Sequence, residues 1–337
     1  MHIKGRFLDF EFPHEKFRFS ELPPATKYLT IAYVSFSSAL FMVKWLFYQH
    51  HRNLFASKAD WDLITSPVLQ LVPCETLWHP ISLVLSNLID VKFWKFAVNL
   101  LNLYVGGAFI ERNWQSPTEL LRYTLEIGSL TNLAIVLVSI IASFALPQVK
   151  LDLPLDGSYT ILVGFPIVYK QLVPELTLLK TKNIPILSKN FRFKLLPIFV
   201  LSVTTISQII WFHHFSQLLS IWVTFVTCWV YLRFYQVLPP AIAGTETSAV
   251  VGDASETFQL LYFFPDIVKP ILRPVFDFSY HIFCNVLRLR QPFQDDEIYA
   301  GNALAEGRGA KKVGGRVEER RKRLALQVLG ERLQTES

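Results

Sequence analysis

The sequence predicts an all-α polytopic membrane protein: a six-helix transmembrane bundle followed by cytosolic amphipathic helices. Three observations carry this. Hydrophobic residues make up 51% of the 337, and the mean hydropathy is +0.32, more apolar than an ordinary soluble chain. Six apolar stretches have the length and pattern of helices. Basic residues gather on the connections that an even number of crossings would place on one side.

The first crossing is predicted over 28–47, after the helix-stopping Pro23-Pro24. At about twenty residues it is long enough to span. A loop over 50–77 holds His50, His51, Arg52 and Trp61, with Pro67 and Pro73 as breakers, and suits the interface. The apolar run 81–89 is too short to cross and is expected to dip into the membrane or cap the bundle. The second crossing, 93–110, puts Lys95, Asn99, Asn102 and Gly106 on one stripe, at steps of four, three and four. An ammonium facing lipid is expensive, so this stripe must face a bundle or a wet cavity. Asn102 and Gly106 suit interhelical hydrogen bonding and close packing.

The third crossing, 118–146, is long enough to tilt or protrude and carries Glu126 and Asn132. The fourth, 158–172, is short and marked by Gly157, Gly164 and Pro166. Such a helix needs protein around its backbone, so a central position is expected. The fifth and sixth crossings, 195–212 and 215–235, flank His213 and His214. The N-terminal segment, the 174–194 connection and the chain beyond Arg233 are basic, which puts both termini in the cytosol.

The chain divides into a cytosolic segment 1–26, the bundle 27–236, a juxtamembrane segment 237–293 and a cytosolic tail 294–337. Residues 243–256 read as a polar linker. Pro265, Pro270 and Pro274 argue against a seventh crossing, so 258–293 is expected on the cytosolic leaflet or under the bundle. The Gly-rich stretch 294–315 reads as disordered. Residues 316–333 form a charged helix with Leu326, Leu329 and Leu333 on one side, suited to docking a cytosolic partner.

The net charge of +6 comes with no nucleic-acid motif and fits topology and anionic lipid. Cys74, Cys228 and Cys284 are too scattered for a zinc site or disulfide framework, and no cofactor or metal is implied. The first 24 residues lack the apolar core of a cleavable signal peptide.

A tryptophan-led loop at Trp78, a second helix running from Gly107 to Glu111-Arg112, and Asp156-Gly157 with Gly164 resemble the rhomboid superfamily. Residues 229–236 (WVYLRFYQ), 262–270 (YFFPDIVKP) and 320–333 (RRKRLALQVLGERL) are similar to one branch, the transmembrane protein 115 family of rhomboid-like Golgi proteins. Active rhomboids are intramembrane serine proteases. The resemblance lays their serine on Asp156, their sixth-helix histidine near Ile221 and their second-helix histidine on Lys95, while the assisting asparagine is kept as Asn99. It therefore implies the fold without the catalysis, since nucleophile and base are lost together. A Lys95–Asp156 contact is expected at the degenerate site, with Glu126 a further candidate for a buried ion network. The alternative is a protease using Ser158 with His213 or His214, although Tyr159 stands where a small residue should follow. The resemblance further implies Golgi residence, Golgi-to-endoplasmic-reticulum retrograde transport, transmembrane client proteins in the bilayer, and vesicle-trafficking or tethering partners in the cytosol.

Overall fold

Pro23-Pro24 opens the first helix, α1 (Pro24–His50), with proline at the first helical position, where its missing N–H costs nothing. The computed structural model describes residues 2–4, 8–11, 19–51, 64–90, 92–175, 177–181, 190–212, 214–238, 250–265, 268–281 and 292–310. Pro23 offers no side-chain cap. Glu111 substitutes for one from the second crossing: its carboxylate accepts from the Ala25 N–H at 3.0 Å, the Thr26 N–H at 2.7 Å and the Thr26 hydroxyl at 2.7 Å. A negative group at a helix N-terminus also meets the positive end of the helix dipole. Arg112 donates to the Glu21 carbonyl at 3.1 Å, and a Cβ on Gly107 would stand 3.3 Å from the Thr26 methyl. The Gly107-to-Arg112 motif therefore pins the start of α1. Glu111→Ala should cost about 2 kcal/mol, the value of a lost cap and its charge-assisted bonds. A lower thermal unfolding midpoint in detergent would show it, and Glu111→Gln should recover part of the loss.

A short helix α2 (Ser82–Leu85) follows the first loop. Among the described residues five helices are long and apolar enough to cross: α1, α3 (Phe93–Trp114), α4 (Pro117–Ala145), α6 (Phe193–Ile210) and α7 (Phe215–Tyr235). The sixth, α5 (Thr160–Leu172), is shorter. Every residue of α5 is buried, including Ile161, Val163, Phe165, Ile167 and Val168. A helix apolar on all sides must be ringed by others, so α5 is the axis of the bundle. Outward positions such as Phe41, Ile141, Phe144 and Ile210 are exposed, as lipid contact requires.

Pro166 shapes α5. The Phe165 N–H bonds to the Thr160 carbonyl five residues back, making a wide turn over Thr160–Gly164. The next carbonyl, that of Ile161, would then look to residue 166, which is proline and has no N–H. Asn102 of α3 supplies the donor, Nδ2 to the Ile161 oxygen at 2.5 Å, and its Oδ1 accepts from the Tyr169 hydroxyl at 2.6 Å. A second wide turn, Asn102–Gly107 in α3, sits opposite.

The all-α membrane bundle carries one addition that helical periodicity did not foretell. Strands β1 (His2–Lys4), β2 (Leu8–Glu11), β3 (Thr177–Thr181) and β4 (Asn190–Arg192) form an antiparallel sheet in the order β1-β2-β3-β4. Leu8 pairs with Thr181, and Thr177 with Arg192. The sheet joins the N-terminal segment to the connection between α5 and α6, so both lie at one end of the bundle.

Two expectations for the C-terminal part are corrected. Residues 250–256 are not linker: the chain runs back beneath the bundle, and Phe258 and Phe263 enter its core at 2% and 1% exposure. Nor is 294–315 structureless over its described part, since α9 (Asp295–Gly307) is a helix. Gln294 and Glu297 form a capping box, and Asp295 and Asp296 join Glu297 in the first turn. Gly301, which read as a sign of disorder, lets the helix approach the Ala254–Ser255 backbone, where an added Cβ would stand 2.8 Å from the Ser255 nitrogen. Between these elements, α8 (Lys269–His281) contains Pro274 and exposes Ile271, Val275 and Phe278 along one face.

A buried ion seam as candidate functional site

Three elements meet at the end of the bundle remote from the sheet. The α2 turn and its continuation to Asp90 bring one carboxylate, the first turn of α3 brings Lys95, and the approach to α5 brings Asp156. Lys95, 1% exposed, places its ammonium 3.1 Å from Asp90 Oδ1 and 3.1 Å from Asp156 Oδ2. It also lies 4.2 Å from the centre of the Tyr159 ring, a favourable place for a cation. The expected Lys95–Asp156 contact is therefore present, but shared with a second carboxylate.

Asp90 is the hub, and sequence reasoning passed over it. Its Oδ2 accepts from the Tyr33 hydroxyl at 2.5 Å and from Asn99 Nδ2 at 2.7 Å, and its Oδ1 from the Ser158 hydroxyl at 2.7 Å. The Ser37 hydroxyl lies 3.1 Å from the Asp90 nitrogen and accepts its N–H. Asp90 closes a run read as apolar because of Leu83, Val84, Leu85, Leu88 and Ile89. Its position five residues before a membrane-embedded lysine was the available signal.

Asn99 bridges the seam, donating also to Ser158 at 3.2 Å. Gly157 is where the chain passes closest to α2: a Cβ there would collide with Ser86, backbone included. Behind this contact, Asn132 of α4 donates to Ser86 Oγ at 2.9 Å and Asn87 Oδ1 at 3.0 Å. The short segment that cannot cross is thus fastened to the bundle by amides.

Glu126 does not join the network. Its side chain is 69% exposed and pairs with Arg122, one turn earlier on the same helix, at 3.2 Å. Glu126 lies in the wide turn over Arg122–Ile127, on an outward face. Ile221 is fully buried in α7. His214 is exposed at the start of α7; His213, Leu326, Leu329 and Leu333 lie outside the described residues. The hydroxyl of Ser158 is given to Asp90, so a carboxylate holds it where a serine protease would place an imidazole. Among the described residues no group of His, Cys, Asp and Glu could hold a metal ion.

A bundle of five long helices around one short, buried helix, with a polar seam joining the second-helix stripe to the loop before that short helix, defines a rhomboid-like integral membrane protein. Residues 27–335 match the family described as eukaryotic integral membrane protein (DUF1751). The chain belongs to this family, that of the transmembrane protein 115 proteins. The Transmembrane protein 115 homolog of Saccharomyces cerevisiae is 50% identical over 99% of each chain. Rhomboid-like protein 19 of Arabidopsis thaliana is 27% identical over 81% of this chain and 82% of its own. Human Transmembrane protein 115 is 23% identical over 80% of this chain and 72% of its own. No solved structure matches significantly.

Proposed function

We propose that this protein is a non-catalytic rhomboid-like component of the Golgi and early secretory membranes. It acts in retrograde transport toward the endoplasmic reticulum, holding client spans in its bundle and cytosolic trafficking or tethering machinery at its tail. Both termini face the cytosol, as the distribution of basic residues favours. The observation that carries the non-catalytic reading is the Lys95 ammonium between Asp90 and Asp156. At the positions where the resemblance lays the serine and the second-helix histidine, the chain holds an ion pair that cannot attack a carbonyl, and the sixth-helix base position falls near Ile221, which has no proton to relay. Family membership supports the residence and transport role.

A serine-reactive fluorophosphonate probe tests the chemistry. Wild type and Ser158→Ala should label equally weakly, because the Ser158 hydroxyl is committed to a carboxylate. Specific labelling of wild type lost in the mutant would restore the protease reading. Removal of residues 316–337 tests the tail: the truncated chain should keep its fold while losing its cytosolic partners or its Golgi steady state.

A further inference from the structure

The opposite end of the bundle holds a second polar site that the ion seam does not use. A cavity of ≈180 Å³ lies between the end of α5, the start of α6, residues 253–265 and the end of α9. Four cations line it (Lys170, Lys194, Lys269 and Arg308) against two carboxylates, Glu175 and Asp253. Both carboxylates are already taken. Glu175 accepts from Lys194 at 2.8 Å and from Arg192. Asp253 accepts from Arg308 Nη2 at 3.0 Å and from the Ser255 N–H at 3.0 Å.

The Lys170 ammonium contacts neutral groups in this cavity. Lys170 is 5% exposed; its ammonium donates to the Tyr262 carbonyl at 2.9 Å and sits 3.4 Å from the Phe263 ring centre. Lys269 lies 4.6 Å from the centre of the Tyr262 ring. Arg308 keeps two guanidinium donors, Nε and Nη1, that are shut from solvent and make no hydrogen bond. Buried donors on a charged group cost free energy unless an acceptor arrives. A planar guanidinium with two vacant N–H groups beside two ammoniums matches the oxygens of a phosphate.

We propose that this cavity binds a phosphate monoester, and that its source is the phosphorylated headgroup of a lipid in the cytosolic leaflet. The class follows from charge and donors. A monoester brings between one and two negative charges and three acceptor oxygens, enough to satisfy Arg308 and Lys170 together. A diester brings one charge and fewer terminal oxygens. The lipid source follows from position: α5 ends and α6 begins at the cavity, where headgroups lie, and α8 beside it turns Ile271, Val275 and Phe278 outward. Placing the cavity on the cytosolic side rests on the orientation proposed above.

The test uses the full chain in nanodiscs, whose two leaflets are both open, so a wrong orientation would not hide binding. Discs contain phosphatidylcholine alone, or with phosphatidylinositol monophosphate, or with phosphatidylglycerol at matched surface charge. Soluble inositol phosphate and inorganic phosphate are added separately to plain discs. The monophosphate lipid should raise the thermal midpoint, while phosphatidylglycerol should not. Arg308→Gln and Lys269→Gln should each weaken binding about tenfold, the worth of one charge-assisted bond. Lys269→Gln removes no buried bond of Arg308 or Asp253 and so separates lost affinity from lost folding. Equal response to soluble inositol phosphate would keep the site and make its ligand a free phosphate ester. Equal response to phosphatidylglycerol, or binding unchanged in both variants, would overturn the proposal.

Discussion

Asp90→Ala is expected to cost about 3–5 kcal/mol, the range for removing one partner of a buried ion pair. Total stabilities run to roughly 5–15 kcal/mol, so the variant should lose a large share of folded protein. The reason is the number of groups that Asp90 satisfies at once. Without it Lys95 keeps Asp156 alone, whose side chain is 22% exposed, while Tyr33, Asn99 and Ser158 lose their acceptor. Lys95→Met should also be severe, because it leaves Asp90 and Asp156 facing each other with no cation between them. The pair Asp90→Asn with Lys95→Met removes one charge of each sign and leaves an acceptor for Tyr33 and Ser158. It should therefore recover much of either loss. Thermal unfolding in detergent of wild type, Asp90→Asn, Lys95→Met and the double variant gives the coupling directly. Strictly additive losses would mean that the two residues do not act as a unit.

Much of the bundle could be read from the chain because the membrane enforces simple rules. Segment lengths mark the crossings, and an amide or ammonium among apolar residues marks an inward stripe. Lys95 and Asn99 were found this way, and the short α5 was placed centrally because Gly157, Gly164 and Pro166 leave backbone that lipid could not satisfy. The features that were not legible depend on contacts distant in sequence. Asp90 lies outside any regular periodicity, and its five partners come from α1, α3 and the approach to α5. Glu126 was misassigned because its place inside an apolar stretch does not say which way it faces, and it faces outward to Arg122. The sheet pairs strands separated by the five helices α1 to α5. Residues 250–256 read as linker because they lack apolar length, yet their backbone carbonyls are what Arg233 needs. Gly301 read as disorder when it was an allowance for close packing.

Arg233→Met should release the segment beneath the bundle. Arg233 is 5% exposed, and its Nη1 donates to the carbonyls of Asp253 and Ser255. Its guanidinium also lies 5.0 Å from the Phe293 ring centre. Nearby bonds depend on the same placement: Trp229 Nε1 to the Phe258 carbonyl at 3.0 Å, and the Glu256 N–H to Asn302 Oδ1 of α9 at 2.8 Å. Losing two bonds to a buried cation costs about 3 kcal/mol, which raises the open population roughly 100-fold. Hydrogen exchange across residues 250–264 and limited proteolysis should both speed up by that order, while the ion seam at the other end keeps its protection. Arg233→Lys should recover part of the loss, because both carbonyls meet the single nitrogen Nη1 and an ammonium nitrogen also carries several donors. Asp253 adds a pH signature. Burial pushes its carboxyl up, but Arg308, the Ser255 N–H and Arg233 outweigh that and hold it below the usual carboxylate range. Its contribution is therefore full above about pH 4, the ordinary carboxylate value, and fades as pH falls through the lowered one. Acidification in that window should loosen residues 250–264 in the wild type, and Asp253→Asn should flatten the response. Protection at 250–264 equal in Arg233→Met and wild type would show that Phe258 and Phe263 hold the segment by packing alone.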